Sequence, residues 1–468
     1  MEVARQEEAQ DVVVVVVPLP AQSHLAQLHH FALLLCGRPG LSVHFATSAA
    51  HVRQAKSRVN PAWGGDSRLH FHELPIPAFP SPPPDRNSTT TRFPAHLQPM
   101  FDAFEHLDDP LSALLRSLSA SSRRVVVVHD LLASFAAVKA AALHNAESYT
   151  FRCLPALFQL VYERPSVADE LRDRGLALPP SDGIVTEKFR AFAKRRMDEN
   201  TASAGTLLNT CRPIEGEFID LLAREPKHRD RKIFTLGPLS PMAVIDGGRR
   251  RQPHECLYWL DKQPPASVVY VSFGTTTAMT DEQVEELANG LLLSGQRFIW
   301  VLRDADRGDI FAAEDDGHVR RMELPPEFEQ KVAGTGLVVR GWAPQLDILS
   351  HPATGAFVSH CGWNSCMESL CMGVPVIAWP MHSDQPTNAA LVTGHLKAGV
   401  MVGDWTPRGD QVTPRAVIEE AIKRVMVYDE GREIRERARV IGEAVREAIA
   451  EGGASRAELD AFVAHITR

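Results

Sequence analysis

The amino-acid sequence predicts an α/β protein built from two doubly wound halves that face each other. The chain has 468 residues, and because single hydrophobic cores stop growing well below that size, two or three domains are expected. Short β-branched runs alternate with Ala-, Leu- and Glu-rich helical segments, as in parallel sheets covered by helices on both faces. These runs fall into two sets, each about as long as a domain.

The elements can be followed in order along the chain. The first predicted strand is the valine run Val12–Val17, which Pro18 ends and which is far shorter than the roughly 20 apolar residues of a transmembrane helix. The other predicted strands are residues 41–47, 69–74, 125–128, 148–151 and 205–210 in the first half, and 268–273, 297–302, 337–340, 356–359 and 374–378 in the second. The predicted helices include residues 25–35, 131–143, 281–292, 364–372 and 429–449.

A Pro-, Gly- and Arg-rich stretch at residues 237–254 marks the boundary between the halves, because it supports neither regular period. We predict a first domain at residues 1–240, a linker at 241–255 and a second domain at 256–468, with the last helix free to return to the first domain. The arginine triplet at 249–251 is interpreted as solvated linker. A second irregular region, residues 75–99, is rich in proline and has the length of a functional or disordered loop.

Composition and charge exclude several classes of protein. Apolar residues make up 44% and charged residues 23% of the chain, as in ordinary globular proteins. The formal net charge of −8 argues against nucleic acid as a partner and offers no polybasic contact for a membrane. The acidic start and the odd number of cysteines, 7, favour a cytoplasmic protein without a secretory signal. We expect it to be a monomer.

A histidine and an aspartate follow two predicted strands of the first half. His24 stands where a helix opens after the first strand, and Asp130 follows the strand at 125–128. Because ligands of open α/β sheets bind beyond the carboxyl ends of the strands, the two side chains can meet at one sheet edge. An imidazole held by a carboxylate is a general base with a fixed tautomer. The alternative, that each residue only caps its own helix, stays open.

The most specific pattern lies in the second half. The strand at 356–359 leads into His360-Cys361-Gly362-Trp363-Asn364-Ser365 and a helix that carries Glu368. Such a strand, small-residue turn and helix start present free N–H groups and the positive end of the helix dipole to an anion. The side chains of His360, Asn364 and Ser365 add donors. Neither the phosphate-binding loop with its lysine nor the dinucleotide glycine fingerprint is present, so the pattern indicates a diphosphate held without a lysine.

Two further strand ends carry candidate binding residues. Trp342, after the strand at 337–340, belongs either to the core or to a base-stacking site. Asp384 and Gln385, after the strand at 374–378, suit several hydroxyl groups or form an ordinary polar turn. Asp304-Ala305-Asp306 is a D-x-D pattern, but its charged surroundings favour a solvated loop, so no metal site is predicted.

These motifs together resemble the signature box of the plant family 1 UDP-glycosyltransferases, which here runs from Trp342 to Gln385 as W-A-P-Q, H-C-G-W-N-S, E and D-Q. Residues 18–24 are similar to the P-x-x-x-Q-x-H loop of that family, and residues 268–275 to its strand ending in S-F-G-[ST]. A finer resemblance is to the zeatin O-glucosyltransferase subgroup, and in particular to its cis-zeatin members from cereals. Residues 20–25, 71–84, 123–130, 215–219 and 379–386 carry it.

The resemblance implies a GT-B fold, with the acceptor bound in the first domain and the UDP-sugar in the second. It implies inverting, metal-independent transfer of glucose from UDP-glucose, with UDP-xylose less favoured, to the side-chain hydroxyl of a zeatin-type cytokinin. His24 would be the base and Asp130 its partner. The implied donor contacts are Trp342 and Ala343 for uracil, Gln345 and Glu368 for ribose, His360, Asn364, Ser365 and Thr275 for the diphosphate, and Trp363, Asp384 and Gln385 for the sugar.

Some positions depart from the pattern of the subgroup. Ala26 stands where many zeatin enzymes carry Asn, which bears on how the acceptor is placed. Cys361, Cys366 and Cys371 lack the spacing of a zinc site and are interpreted as packing residues. The alternatives to zeatin glucosylation are a flavonoid or phenolic O-glucosyltransferase and a silent protein that binds UDP-sugar or cytokinin. A nicotinamide-dependent oxidoreductase would need the glycine fingerprint that the sequence lacks.

Overall fold

The computed structural model describes residues 12–58, 68–85, 93–180, 183–200, 202–229, 231–239, 254–312, 323–405 and 411–468. It contains two parallel sheets with helices on both faces. The predicted α/β fold of two doubly wound domains is therefore confirmed. Most of the predicted linker, residues 241–253, and the arginine triplet in it lie outside the described residues, as do residues 86–92 of the proline-rich region.

The first sheet has seven strands in the order β3-β2-β1-β4-β5-β6-β7. Its strands are β1 (Val12–Val17), β2 (Leu41–Ser48), β3 (Leu69–Leu74), β4 (Arg124–Asp130), β5 (Ala146–Arg152), β6 (Gly205–Leu208) and β7 (Lys232–Thr235). The order reverses at β1, which pairs with β2 on one side and β4 on the other. Ligands of open α/β sheets bind at such a reversal point.

The second sheet has six strands in the order β10-β9-β8-β11-β12-β13 and reverses at β8 in the same way. Its strands are β8 (Val268–Ser272), β9 (Arg297–Val301), β10 (Gly336–Val339), β11 (Thr354–Ser359), β12 (Val376–Ala378) and β13 (Gly399–Met401). All eleven predicted runs overlap observed strands. The sequence did not predict the short edge strands β7 and β13.

Helices cover both faces of the two sheets. The α-helices are Gln22–Cys36, Ala49–Ser57, Gln98–Phe104, Asp108–Ser121, Phe135–Ala141, Ala156–Glu163, Val167–Asp173, Glu187–Glu199, Arg212–Arg224, Glu255–Leu260, Asp281–Ser294, Phe328–Lys331, Gln345–Leu349, Trp363–Met372, Gln385–Ala390, Arg415–Met426, Asp429–Ile449 and Ala454–Thr467. Where residues 131–143 predicted one helix, a 3₁₀ turn at Leu131–Ala133 precedes the helix Phe135–Ala141. Among the described residues, no helix is long and apolar enough to cross a membrane.

The valines of β1 show why the sequence folds into buried parallel strands. Val12, Val14 and Val16 belong to one hydrophobic cluster, whereas the alternate valines of the same strand belong to a second cluster on the opposite face of the sheet. All six are buried. Because successive side chains point to opposite faces, a run without alternation requires apolar packing on both sides.

The last helix, Ala454–Thr467, packs against the first sheet rather than the second. The ring of Phe462 lies 5.2 Å from that of Tyr149, 5.4 Å from that of Phe234 and 6.0 Å from that of Phe31, measured between centroids. At the start of the helix, Ser455 Oγ donates a hydrogen bond to the carbonyl of Gly237 at 2.7 Å. The end of the chain therefore joins the two halves at a second place.

Candidate active site

A cleft of about 1610 Å³ lies between the two halves, at the carboxyl ends of both sets of strands. Loops after β1, β4 and β5 line it from the first half, and loops after β8 to β12 line it from the second. Parallel strands deliver these loops to one edge of each sheet, so residues far apart in the sequence meet here. All thirteen site residues implied by the resemblance line this cleft; they are His24, Asp130, Thr275, Trp342, Ala343, Gln345, His360, Trp363, Asn364, Ser365, Glu368, Asp384 and Gln385.

His24 and Asp130 form a close pair. His24 Nδ1 lies 2.6 Å from Asp130 Oδ2, and this contact joins the first turn of the helix Gln22–Cys36 to the end of β4. The Asp130 side chain is 1% exposed, and its Oδ1 accepts the N–H of Leu132 at 2.9 Å. Asp130 therefore caps the following turn and holds the imidazole at the same time. Nε2 is the nitrogen of His24 left for a ligand.

Opposing effects set the protonation of this pair. Burial lowers the pKa of His24, but the charge and hydrogen bond of Asp130 outweigh it, so the pKa of His24 is raised above its usual value. For Asp130, burial favours the neutral acid, yet the nearby imidazole and the hydrogen bonds lower its pKa overall. The carboxylate is therefore ionised at neutral pH and stabilises a proton on His24.

The turn after β11 places backbone donors and His360 at the cleft. Cys361 adopts a positive φ of 61° in this turn. Gly362, the residue before the helix Trp363–Met372, has no side chain to cap it, so the first N–H groups of the helix face the cleft and can bind an anion. The His360 ring fits between Gly274 and Gly362, since a Cβ at either position would lie 2.5 Å from its Nε2. Burial lowers the pKa of His360 to about 4, so it is a neutral donor at physiological pH.

The predicted ribose-binding residues are bonded to each other. Gln345 Nε2 donates to Glu368 Oε2 at 2.9 Å and to Ser365 Oγ at 3.1 Å, while Tyr270 donates its hydroxyl to Gln345 Oε1 at 3.4 Å. Gln345 begins the helix after β10, and Glu368 lies one turn into the helix after β11. Two separate strand ends thus build one polar corner.

Trp342 presents its ring on the second half of the cleft. It is 52% exposed, which is unusual for a tryptophan, and Ala343 beside it is buried. The guanidinium carbon of Arg58 lies 5.0 Å from the ring centroid, and that of Arg303 lies 5.6 Å from it. The exposed flat ring has the shape of a stacking platform for a planar base.

Trp363 and Asn364 contact the first half directly. Trp363 Nε1 donates to the carbonyl of Asn209 at 2.9 Å, and Asn364 Nδ2 donates to the carbonyl of Ser23 at 3.2 Å. The indole of Trp363 is therefore buried in the core, with its N–H used between the domains, which leaves its backbone for a sugar. Ser23 precedes His24 in the first turn of the helix Gln22–Cys36, so Asn364 contacts the turn that carries the proposed base.

Asp384 and Gln385 lie side by side after β12. Asn388 donates to Asp384 Oδ2 at 2.5 Å, and burial raises the pKa of Asp384. The amide oxygen of Gln385 accepts the backbone N–H groups of Met381 and His382 at 2.8 and 3.0 Å. Gln385 thus shapes its own loop as well as lining the cleft.

The D-x-D segment differs from the solvated loop that the sequence predicted. Asp306 is buried and accepts hydrogen bonds from Arg58 and Arg303. The two guanidinium groups take the place of water around the Asp306 carboxylate. Cys361, Cys366 and Cys371 are all buried in the core, as their interpretation as packing residues required.

Several residues of the cleft were missed by sequence reasoning. Cys153, which follows β5, donates its thiol to Asp130 Oδ2 at 3.4 Å, and burial raises the pKa of that thiol well above its usual value. Phe93 stacks on His382 with ring centroids 3.8 Å apart. The strand-end rule could have found Cys153, whereas nothing local marks Phe93 as a partner of a loop in the other domain.

The two facing sheets, with polar groups gathered at their carboxyl ends, define the two-domain architecture of nucleotide-sugar transferases. Two family models match the chain. They are "Glycosyltransferase, N-terminal domain" over residues 10–241 and "UDP-glucoronosyl and UDP-glucosyl transferase" over residues 230–426.

Relatives and solved structures agree with these models over nearly the full chain. The chain is 47% identical over 466 residues to cis-zeatin O-glucosyltransferase 2 of Zea mays, covering 98% of this chain and 99% of that protein. It is 44% identical over 462 residues to zeatin O-glucosyltransferase of Phaseolus lunatus, covering 98% and 97%. The structure of Phytolacca americana UGT2 with UDP-2fluoro-glucose and pterostilbene is similar at a TM-score of 0.76 and 26% identity, covering 97% of this chain and 99% of that one. The chain belongs to the plant UDP-glycosyltransferase family, in its zeatin O-glucosyltransferase subgroup, and it is a glycosyltransferase.

Proposed function

We propose that this glycosyltransferase transfers glucose from UDP-glucose to the side-chain hydroxyl of a zeatin-type cytokinin, cis-zeatin in particular, and forms an O-β-glucoside. The observation that carries the proposal is the His24–Asp130 pair at 2.6 Å, facing the anion-binding turn at His360 across the cleft. The similarity over nearly the full chain to relatives named for cis-zeatin and zeatin O-glucosyl transfer supports this acceptor.

In the proposed reaction, His24 is the general base. Its Nδ1–H donates to Asp130, so Nε2 accepts the proton of the acceptor hydroxyl as the hydroxyl oxygen attacks the anomeric carbon. The bond between that carbon and the β-phosphate oxygen breaks, and UDP leaves with the bonding electron pair from the opposite face. This single displacement inverts an α-linked donor to a β-glucoside. The ionised Asp130 stabilises the imidazolium that forms.

The donor is held by groups of the second half. We assign Trp342 to stack on uracil, with the Ala343 backbone beside it, and the Gln345–Glu368 corner to bind ribose. We assign Trp363, Asp384 and Gln385 to the glucose. We assign the diphosphate to His360, Asn364 and Ser365, which lie between the end of β11 and the first turn of the helix Trp363–Met372, and to Thr275 in the turn after β8. Neutral donors and a helix N-terminus suit an anion that must leave after the transfer.

The acceptor side of the cleft is largely apolar. Its walls come from the loop at residue 93, the 3₁₀ turn after β4 and the helices Ala156–Glu163 and Glu187–Glu199; the apolar side chains are Phe93, Phe101, Leu131, Leu132, Leu154, Phe158, Ile184, Phe189 and Met197. A flat purine with a short alkenyl chain buries well against such walls. The chain hydroxyl must reach His24, whereas the N–H groups and ring nitrogens of the purine need polar partners of their own.

The proposal includes the setting of the enzyme. We propose a cytoplasmic monomer that needs no metal ion and no cofactor besides its donor substrate. The seven cysteines, all among the described residues, are buried and form no disulfide, which suits a reducing compartment. Size-exclusion chromatography with light scattering tests the monomer, and activity in a chelating buffer tests the independence from metal.

The test of the function is an acceptor screen by mass spectrometry. Purified enzyme receives UDP-glucose or UDP-xylose, a chelator, and cis-zeatin, trans-zeatin, dihydrozeatin or several flavonols. We expect glucosylated cis-zeatin from UDP-glucose, and none from the His24→Ala control. If only flavonols were glucosylated, the proposed transfer from UDP-glucose would stand and the zeatin-type acceptor would be wrong. No product from protein that still binds UDP would indicate a silent binding protein.

A further inference from the structure

A buried ion pair crosses the cleft between residue 58 of the first half and residue 306 of the second. Arg58 donates Nη1 to Asp306 Oδ2 at 2.5 Å and Nη2 to Oδ1 at 2.9 Å, and the side chains are only 13% and 8% exposed. Arg303 Nη2 donates to the same Oδ1 at 2.5 Å. A two-point fork of this kind fixes both the distance and the orientation of the groups that it joins.

Arg58 also contacts both parts of the proposed site. Its Nη1 donates to Gln22 Oε1 at 3.1 Å, and Gln22 lies two residues before the proposed base His24. Its guanidinium carbon lies 5.0 Å from the ring centroid of Trp342, within the range of a cation–π contact. The Arg58 side chain thus contacts both the first turn of the helix that carries the base and the ring assigned to stack on uracil.

Asp306 ties the same ion pair to the diphosphate side. Its backbone N–H donates to the carbonyl of Thr275 at 2.7 Å. Two guanidinium groups around one carboxylate leave one net positive charge beside Trp342. Since a buried pair that loses one partner leaves an uncompensated charge, the arrangement holds as a unit.

We propose that Arg58 is a positioning residue, which holds the Trp342 platform in place relative to the helix start that carries His24, through its bonds to Asp306 and Gln22. This inference rests on the proposed function, since it takes Trp342 as the uracil site and His24 as the base. The ion pair makes donor binding and base placement depend on one side chain. The D-x-D segment is, in this account, an anchor between the domains.

The test compares Arg58→Met with Arg53→Met. Arg53 lies on the helix Ala49–Ser57, which ends directly before Arg58, and pairs at 3.4 Å with Asp309 of the segment that carries Asp306. Its side chain is 57% exposed and does not line the cleft. We expect Arg58→Met to weaken UDP binding by calorimetry and also to lower kcat at saturating acceptor, each by about tenfold to a hundredfold, because small displacements of reacting groups cost that much. Arg53→Met should change neither by more than about twofold, since exposed pairs contribute little.

Three outcomes would overturn the inference. Equal losses in the two variants would mean that only the docking of the segment matters. A lower melting temperature for Arg58→Met, with unchanged UDP affinity and kcat below it, would mean a purely structural pair. If Arg58→Met does not fold, Asp306→Asn takes its place, and an unchanged UDP affinity and kcat in that variant would also overturn the inference. Failure of the wild-type protein to bind UDP would instead count against the proposed function.

Discussion

Polar side chains of the cleft pair with each other before any ligand arrives. Gln345 is fixed by Ser365 and Glu368, and the amide oxygen of Gln385 is fixed by two backbone N–H groups of its own loop. Groups held in this way pay little orientational cost when the charge of the transition state develops. The consequence at the scale of residues is that single substitutions should change rate or affinity more than stability.

The pH dependence of the rate should report His24. The base acts only when unprotonated, so kcat/KM should fall as the pH drops through the pKa of His24, which Asp130 raises above 6.5. In Asp130→Asn we expect the acidic limb to move to lower pH, because only the charge of Asp384 then opposes burial, and the plateau to fall by about 10²- to 10⁴-fold. Rate profiles between pH 5 and 9 measure both. A wild-type limb centred below 6.5 would contradict the pairing, and His24→Ala, in which UDP affinity should be intact, is the control.

Trp342 should act on the donor alone. Trp342→Ala removes the stacking surface, and we expect UDP binding to weaken by about 1–3 kcal/mol, the usual range for a base stacked on an aromatic side chain. Trp342→Phe should recover part of it because a ring remains. Titration calorimetry with UDP, alongside the KM of the acceptor, separates the two substrates. An unchanged UDP affinity in Trp342→Ala would place uracil elsewhere.

At the scale of elements, the turns after β8 and β11 hold His360 between them. Gly274 has a φ of +71°, and a Cβ there would lie 2.5 Å from His360 Nε2. Gly274→Ala should displace the imidazole and lower kcat/KM for UDP-glucose by roughly tenfold to a hundredfold, the loss expected for one hydrogen bond to a charged group. Steady-state kinetics below the melting temperature measure it.

Gly295 provides the matched control for that substitution. It ends the helix Asp281–Ser294 with a φ of +65°, and no atom lies within 4 Å of a Cβ added there. Gly295→Ala therefore carries the same backbone strain, about 1 kcal/mol, without a clash. It should lower stability and leave kcat/KM unchanged. Equal kinetic losses in both variants would show that strain, and not His360, is responsible.

The elements also show how far the sequence can predict this structure. Buried parallel strands consist of apolar runs that are visible in the sequence, so the ends of β1 and its neighbours were predicted to within about two residues. The strands β7 and β13 were missed because short edge strands of four and three residues carry no such run. Residues 131–143 were predicted as one helix, yet Asp130 accepts the N–H of Leu132 and tightens the start into a 3₁₀ turn.

The candidate site was predictable to the same extent and for the same reason. Strand ends meet at one edge, so residues following them could be grouped from the sequence alone. The contact between Arg58 and Asp306, which are 248 positions apart, joins a helix end to a loop in the other domain. No local pattern marks Arg58, and the D-x-D pattern that contains Asp306 does not indicate its partner. Side chains that bridge the domains depend on how the two halves dock, and that information is not local.

At the scale of the whole molecule, the halves are joined at more than one place. The last helix returns to the first sheet through Phe462, and the segment after β9 docks on the helix Ala49–Ser57 through Arg58 and through His51, which contacts the carbonyl of Gly308 at 3.1 Å. Both contacts bury groups at the junction of the halves. Agents that weaken this junction should therefore affect the fold of both halves together.

Acid is such an agent, because histidines are buried throughout both halves. Burial lowers the pKa to about 4 or 3 for seven of them, namely His29, His30, His44, His51, His129, His360 and His382. Unfolded histidines take up a proton near pH 6.5, whereas these do so only near pH 4. Between these values the unfolded chain binds more protons, so the free energy of unfolding falls as the pH is lowered.

Four groups act in the opposite direction, since the pKa of His24, Asp384 and Glu458 is raised and that of Glu215 is raised to about 7. Seven against four leaves a net proton uptake on unfolding, and each net proton changes the free energy of unfolding by about 1.4 kcal/mol per pH unit. We therefore expect urea midpoints to fall steeply between pH 6.5 and 4.5, and to fall only slightly as the pH rises above 7, where the folded state loses the protons that it holds on His24 and Glu215. Urea titrations followed by tryptophan fluorescence at half-unit steps measure this slope. Midpoints that stay level down to pH 5 would mean that these imidazoles are protonated in the folded protein, and the cleft would then carry a positive His360 instead of a neutral donor.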